Sequence, residues 1–349
     1  MLSSMRNALW RDKLQTRASS VALCEDGGFG VNRHPLPRAL SAALTLGFIL
    51  FFYSETLFWA RPGRASAPEL TATWLAYSVL AGALLCALAT FHVRDWAALL
   101  LCGALYGWLS EGVLAVTLYD AFPVQLSWTG LAWHDIISVC AGWYGLSASL
   151  RHSTRRALGV ASALGAFWGA WAVTWWQPQE GGIITPLSAF AAHAFTQGTL
   201  LMLAYALLPQ LIERKSFTNR WGQLALLTVL VAWFVFITLP QRPQALWVAA
   251  TLFALTIAAL VHARGRDRGT PRESSPTLLE ITAQPSPSWS RCAAVLALPT
   301  SAVIVYSLYW LGVLTAAINQ IVFWVLTPLG FIAYAFSLWA AFKSRRQVQ

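Results

Sequence analysis

The sequence predicts an all-α fold, a polytopic transmembrane bundle of about ten helices, and three observations carry that expectation. The chain of 349 residues is 57% hydrophobic and only 11% charged, where a soluble domain carries roughly a quarter charged residues. Apolar runs of the length needed to cross a hydrocarbon layer of about 30 Å, about 20 helical residues, recur along most of its length. Basic residues fall in the short connections between those runs, and do so in alternation.

Taken in order, the helices are predicted at 39–60, 70–91, 95–119, 128–150 and 157–176, then at 184–211, 223–240, 244–263, 292–314 and 319–342. Each run is bounded by charge, Pro or Gly. Arg38 precedes the first and Arg61-Pro62-Gly63 ends it; Arg94-Asp95 separates the second from the third, and Asp120 and Pro123 the third from the fourth. Arg155 and Arg156 open the fifth, Arg220 precedes the seventh, and the tight connection Pro240-Gln241-Arg242-Pro243 separates the seventh from the eighth.

Outside the helices, residues 1–38 form a basic N-terminal segment without the apolar stretch of a cleavable signal peptide. Residues 39–263 form an eight-helix membrane body, and 264–290, rich in Arg, Pro, Ser and Thr, read as a flexible linker. A two-helix hairpin at 291–342 and a basic tail at 343–349 complete the chain.

Orientation follows from the basic residues. With a cytoplasmic N-terminus, 21 of the 24 Lys and Arg residues fall on one side, leaving Arg61, Arg64 and Arg242 on the other. That asymmetry predicts an even number of crossings and both ends in the cytoplasm of a cell membrane, the cytoplasmic membrane of a bacterium. The net charge of +10 is distributed over loops, so a nucleic-acid partner is not indicated; the partner is the lipid bilayer. Cys86, Cys102, Cys140 and Cys292 lie in apolar segments with no C-x-x-C spacing, which argues against a disulfide framework or zinc knuckle. Trp59, Trp128, Trp175, Trp176 and Trp247 mark outer helix ends, and Trp96, Trp221 and Trp339 inner ones. Trp108, Trp133, Trp143, Trp168 and Trp171 fall deeper and are expected to pack between helices.

Five ionisable residues fall inside the apolar segments: Glu55, Glu111, His134, Asp135 and His193. Each is costly in hydrocarbon unless paired or wetted, and no Lys or Arg accompanies them. The carboxyls must therefore be protonated, paired with His, or bound to a cation. At 1.5 Å per residue Glu55 and Glu111 fall about 8 and 12 Å below the outer helix ends, and His134 and His193 about 9 and 13 Å. One polar layer in the outer half of the membrane is the expectation, with Asp135 turned about 100° from His134. Gln197 and Ser138 each follow a histidine by one turn, and Tyr53, Ser54 and Ser110 stand beside the carboxyls as further hydrogen-bonding groups.

The candidate catalytic set is Glu111, His134 and His193, supported by Glu55, Gln197 and Ser138. Two His and one or two carboxylates could hold zinc or a similar divalent ion, with a position left for a nucleophilic water. A metal-free version has a carboxylate as general base and the imidazoles at an oxyanion. The bland alternative has each group satisfy one interhelical hydrogen bond.

A Glu on one helix followed by single His residues on later helices resembles the CAAX-processing and bacteriocin-processing family of intramembrane glutamate proteases, with its E-E-x-x-x-R, F-x-x-x-H and H-x-x-x-N motifs. Glu111 answers the first motif, with Ser110 and Ala115 in place of its other Glu and its Arg. His134 answers the second with Gly130 in place of Phe, and His193 the third with Gln197 in place of Asn. The resemblance implies a membrane hydrolase that cuts a peptide or related bond, on a membrane-embedded peptide or lipid substrate. A proton-coupled transporter using the same carboxyls, or a non-catalytic membrane scaffold, are the competing expectations.

Overall fold

A computed structural model describes residues 35–60, 62–63, 65–174, 185–267, 271–284 and 287–343. The basic leader through residue 34, Arg61, Arg64, Trp175, Trp176 and the tail after Lys343 lie outside the described residues. Among the described residues there is no strand. Each of the ten expected segments holds a helix among the described residues: α1 Leu36–Trp59, α2 Ala67–Phe91, α3 Trp96–Leu114, α4 Leu126–Gly145 continued by Leu146–His152, and α5 Thr154–Thr174. They are followed by α6 Leu187–Leu211, α7 Arg220–Gln241, α8 Ala245–Asp267, α9 Trp289–Trp310 and α10 Ile318–Phe342. Eight of them, all but α4 and α5, meet a criterion of length and apolar composition for crossing a membrane. The protein is a multi-pass helical membrane protein.

Local chemistry sets the helix starts. Ser66 and Glu69 close a reciprocal capping box at the head of α2, and Asp95 accepts the Ala98 amide at 2.8 Å at the head of α3. The third helix ends at Leu114 rather than at the expected 119. Val116 there takes a left-handed φ of 65°, uncommon for a β-branched residue, and the chain turns back through Thr117–Tyr119.

Four helices carry stretches wound wider than an α-helix, closed by bonds from residue i to i+5: Phe52–Thr56 in α1, Ser110–Leu114 in α3, Phe234–Thr238 in α7, and the whole of Leu126–Gly145 in α4. Such widened turns are rare and concentrate at functional sites. Nothing in the apolar pattern announces them, but Glu55, Glu111, His134 and Asp135 all lie within them.

Two small-xxx-small pairs hold the bundle together. Gly103 and Gly107 bring α3 onto α4, where a Cβ would collide with Asp135 and with the Gly130 carbonyl. Gly165 and Gly169 do the same for α5 against the Leu298 and Ala302 carbonyls of α9. Without a hydrophobic drive inside lipid, close backbone approach of this kind is what associates helices. The last two helices therefore pack into the body, α9 against α5 and α6, and α10 against α3 and α4. The five deep tryptophans are almost fully buried. Trp128, expected at the interface, is buried as well, because it packs edge-on against Trp133 and Phe323.

Part of the expected flexible linker is built in. Thr277 caps the short helix Leu278–Thr282 with a second capping box to Glu280, and the Leu278 amide donates to the Val93 carbonyl at 2.8 Å. Arg214 pairs with Glu280 at 2.7 Å and lies against His92. Burial and the neighbouring Arg214, Arg264 and Arg94 hold His92 below the usual histidine range. Burial raises the Glu280 carboxyl, but bonds from Thr277 and Arg214 outweigh it and leave it below its usual value.

Both groups favour their deprotonated forms in the folded corner. Its stability is thus fully present above the ordinary histidine range and is lost first as pH falls through His92, then through Glu280. Hydrogen exchange of the 278–282 amides is expected to accelerate as pH drops from 8 towards 5 after correction for intrinsic rates; unchanged corrected rates would refute this. Gly169→Val is expected to cost about 1–3 kcal/mol through overpacking, read as a lower melting temperature in detergent, whereas Gly159→Val, where a Cβ meets open space, is expected to leave it nearly unchanged.

Candidate functional site

The site forms where the widened turns of α1, α3 and α4 meet. His134 Nε2 lies 2.6 Å from Glu111 Oε1 and 3.2 Å from Ser110 Oγ. Its Nδ1 lies 3.0 Å from Ser54 Oγ. All four side chains are buried. Thr117 Oγ1 donates to the other oxygen of Glu111, placed there by the turn at Val116. The widened turn at Ser110–Leu114 ends with the Ala115 amide on the Ser110 carbonyl at 2.8 Å.

Donor counting settles where the protons go. Ser138 Oγ donates to the Trp133 carbonyl at 3.1 Å, so it accepts from Ser54 Oγ at 2.9 Å. A hydroxyl has one proton to give. Having given it to Ser138, Ser54 must accept from His134 Nδ1–H, and from the Tyr106 hydroxyl at 3.2 Å. With a proton fixed on Nδ1, the short contact between Nε2 and Glu111 requires one further proton, held between the two. The pair is either a neutral imidazole with a carboxylic acid or an imidazolium with a carboxylate, and both versions store one transferable proton.

Glu55 is anchored separately, its Oε1 accepting from the Tyr77 hydroxyl at 2.8 Å. It faces the same cavity, of about 260 Å³, together with Glu111, His134, Thr117, Thr129 and Ser54. Among the described residues lining it there is no Lys or Arg. Aromatic packing builds the far wall: the Phe58 ring centroid stands 4.5 Å from that of Trp133, and the Trp133 and Trp171 indoles donate to the Tyr53 and Phe58 carbonyls at 3.0 and 2.8 Å.

Glu111, His134, Glu55 and Ser138 are thus brought together, Ser138 through Ser54. His193 and Gln197 are not. They lie on α6, which packs against α1 and α9, and line a second cavity of about 240 Å³. Glu55 and Trp59 line both cavities and stand between them. The expected Glu111–His134–His193 metal set is therefore not formed; among the described residues no three His, Cys, Asp or Glu side chains converge in a group able to hold a metal ion. The four groups share a depth, but a depth does not say which helices are neighbours. Asp135 turns to the opposite side, against Gly103 and the Cys140 thiol.

Tyr77, Tyr106 and Thr117 join the site beyond the expected set. The signal for the tyrosines was present, since a hydroxyl buried in an apolar helix needs a partner. Thr117 carried none, because its position depends on where α3 stops. No family model, curated protein or solved structure matches the chain.

The proton count has a spectroscopic consequence. Nitrogen-15 NMR of histidine-labelled protein is expected to find His134 protonated at Nδ1 in wild type, assigned by loss of the signal in His134→Gln. Ser54→Ala is expected to remove that preference. A His134 protonated only at Nε2 in wild type would contradict the arrangement.

Proposed function

We propose that this protein is an intramembrane hydrolase that uses no metal, with the Glu111–His134 pair as proton donor and Glu55 as general base. The observation that carries the reading is the 2.6 Å contact between Glu111 and His134 in a cavity shared with a second, separately anchored carboxyl. Two carboxyls in one site with different surroundings are how one pocket supplies both an acid and a base.

In this reading water enters the cavity and gives a proton to Glu55 as its oxygen bonds to the carbonyl carbon of an ester or amide. The carbon–heteroatom bond then breaks, and the departing oxygen or nitrogen takes the shared proton from Glu111 and His134. Transfer of the proton on Glu55 back to the pair restores the resting state. Ser54 and Ser138 hold the imidazole in the orientation this needs, and Thr117 holds the carboxyl. Positioned acid and base groups are each worth about 10²–10⁴ in rate.

The wall between the two cavities also favours a second reading, proton-coupled transport, with Glu55 passing protons from one side to the other. The two are separated by oxygen-18 water. Protein reconstituted with a native membrane lipid extract and a set of transmembrane peptides is expected to yield products with the label in a new carboxyl group. Glu111→Gln and Glu55→Gln are each expected to reduce that yield by about 100-fold or more. No labelled product above empty liposomes, with proton-coupled uptake that vanishes in Glu111→Gln, would favour transport instead.

A further inference from the structure

Beside the second cavity, α1, α2 and α6 enclose a groove of about 740 Å³. Its lining is apolar in effect as well as in composition. Ser41, Thr45 and Thr71 turn their hydroxyls back to the carbonyls of Pro37, Ser41 and Ala67 at 2.8–2.9 Å, and the Trp74 indole donates to the Leu44 carbonyl at 3.0 Å. Among these polar lining groups Gln197 is the exception: its Oε1 is buried and has no hydrogen-bond partner among the described residues. An unpaired buried polar atom is costly, and this one stands where the groove meets the second cavity, since Gln197, Phe51 and Leu70 line both.

Along α1 the groove runs from Ser41 to Phe51, ten residues and about 15 Å, about half of a hydrocarbon layer of about 30 Å. It lies between helices that span the membrane, where hydrocarbon chains are the surrounding medium. Its polar end holds Gln197, His193 and the carboxyl of Glu55, groups that suit an uncharged, hydrogen-bonding head group better than an anionic one.

We infer that the groove binds one acyl chain of an uncharged membrane lipid and that Gln197 accepts a hydrogen bond from a hydroxyl or amide N–H of its head group. The chain lies along Leu44, Phe48, Leu200 and Leu203, and the head group sits in the second cavity against Glu55 and Trp59. That wall separates it from the Glu111–His134 pair. As a binding site the groove stands independently of the hydrolase reading above.

The test uses a long-chain monoacylglycerol with a diazirine in its acyl chain, and its di-O-methyl counterpart, in phosphatidylcholine liposomes holding the full-length protein. Photolabelled residues are mapped by mass spectrometry. Labelling of Leu44, Phe48, Leu200 and Leu203 is expected to exceed that of Val229 and Ile257, which are exposed on α7 and α8, by about tenfold, the factor that ~1.4 kcal/mol produces. Leu203→Trp, at a residue 37% exposed, is expected to abolish the excess while leaving the melting temperature unchanged. Gln197→Leu is expected to keep groove labelling but to erase the preference for the free-hydroxyl lipid. Even labelling of groove and exposed face, meaning annular lipid only, would overturn the inference, as would an excess that persists in Leu203→Trp. Glu111→Gln is expected to label as wild type does. Groove labelling without any oxygen-18 product sinks the hydrolase reading alone; oxygen-18 product from peptides without groove labelling sinks this inference alone.

Discussion

A carboxyl in hydrocarbon with no cation to answer it is the constraint on which the rest of the site depends. Glu111 is buried, no Lys or Arg is among the described residues lining its cavity, and an isolated ion there is prohibitively costly. The solution is a proton held in common with His134 at 2.6 Å. Everything around the pair serves that arrangement. Ser54 and Ser138 pin the other ring nitrogen, and Thr117 satisfies the second carboxyl oxygen. A group held this firmly costs little to reorganise when it gives up its proton, which is the condition for electrostatic catalysis in a dry cavity.

The backbone is shaped around the same requirement. Widened turns in α1, α3 and α4 change the direction in which Ser54, Glu55, Glu111 and His134 project, and glycines at 103 and 107 let α3 and α4 approach closely enough for a 2.6 Å contact between side chains on two helices. Carbonyls at Tyr53 and Phe58, in and just after the widened turn of α1, are taken up by indole N–H groups of Trp133 and Trp171. This supplies partners that bilayer hydrocarbon cannot. The dense aromatic cluster is thus more than filling: it supports an irregular helix that carries the site.

Apolar runs and basic connections made the ten helices legible in the sequence, because span length and loop charge are local properties. Glu111 and His134 were legible for a similar reason, as ionisable residues where none is expected. His193 stood out by the same signal but belongs to a different cavity, since a sequence states how deep a residue lies and not which helix it faces. The capping box Thr277-Leu278-Leu279-Glu280 was readable in a segment whose composition pointed to flexibility, and there the local motif prevailed over composition. The Gly103 and Gly165 pairs were readable in the same way. The widened turns and the early end of α3 at Val116 were not, because neither leaves a mark in hydropathy.

The central claim is that Glu111 and His134 form one coupled unit, and a double-mutant cycle tests it most directly. Reversible unfolding in lipid of wild type, Glu111→Gln, His134→Gln and the double variant gives their interaction energy. Interhelical hydrogen bonds in membranes average about 0.6 kcal/mol in such cycles. A shared proton predicts a coupling clearly above that, more than about 1 kcal/mol, which falls when the cycle is repeated in Ser54→Ala. A coupling near zero would contradict the account.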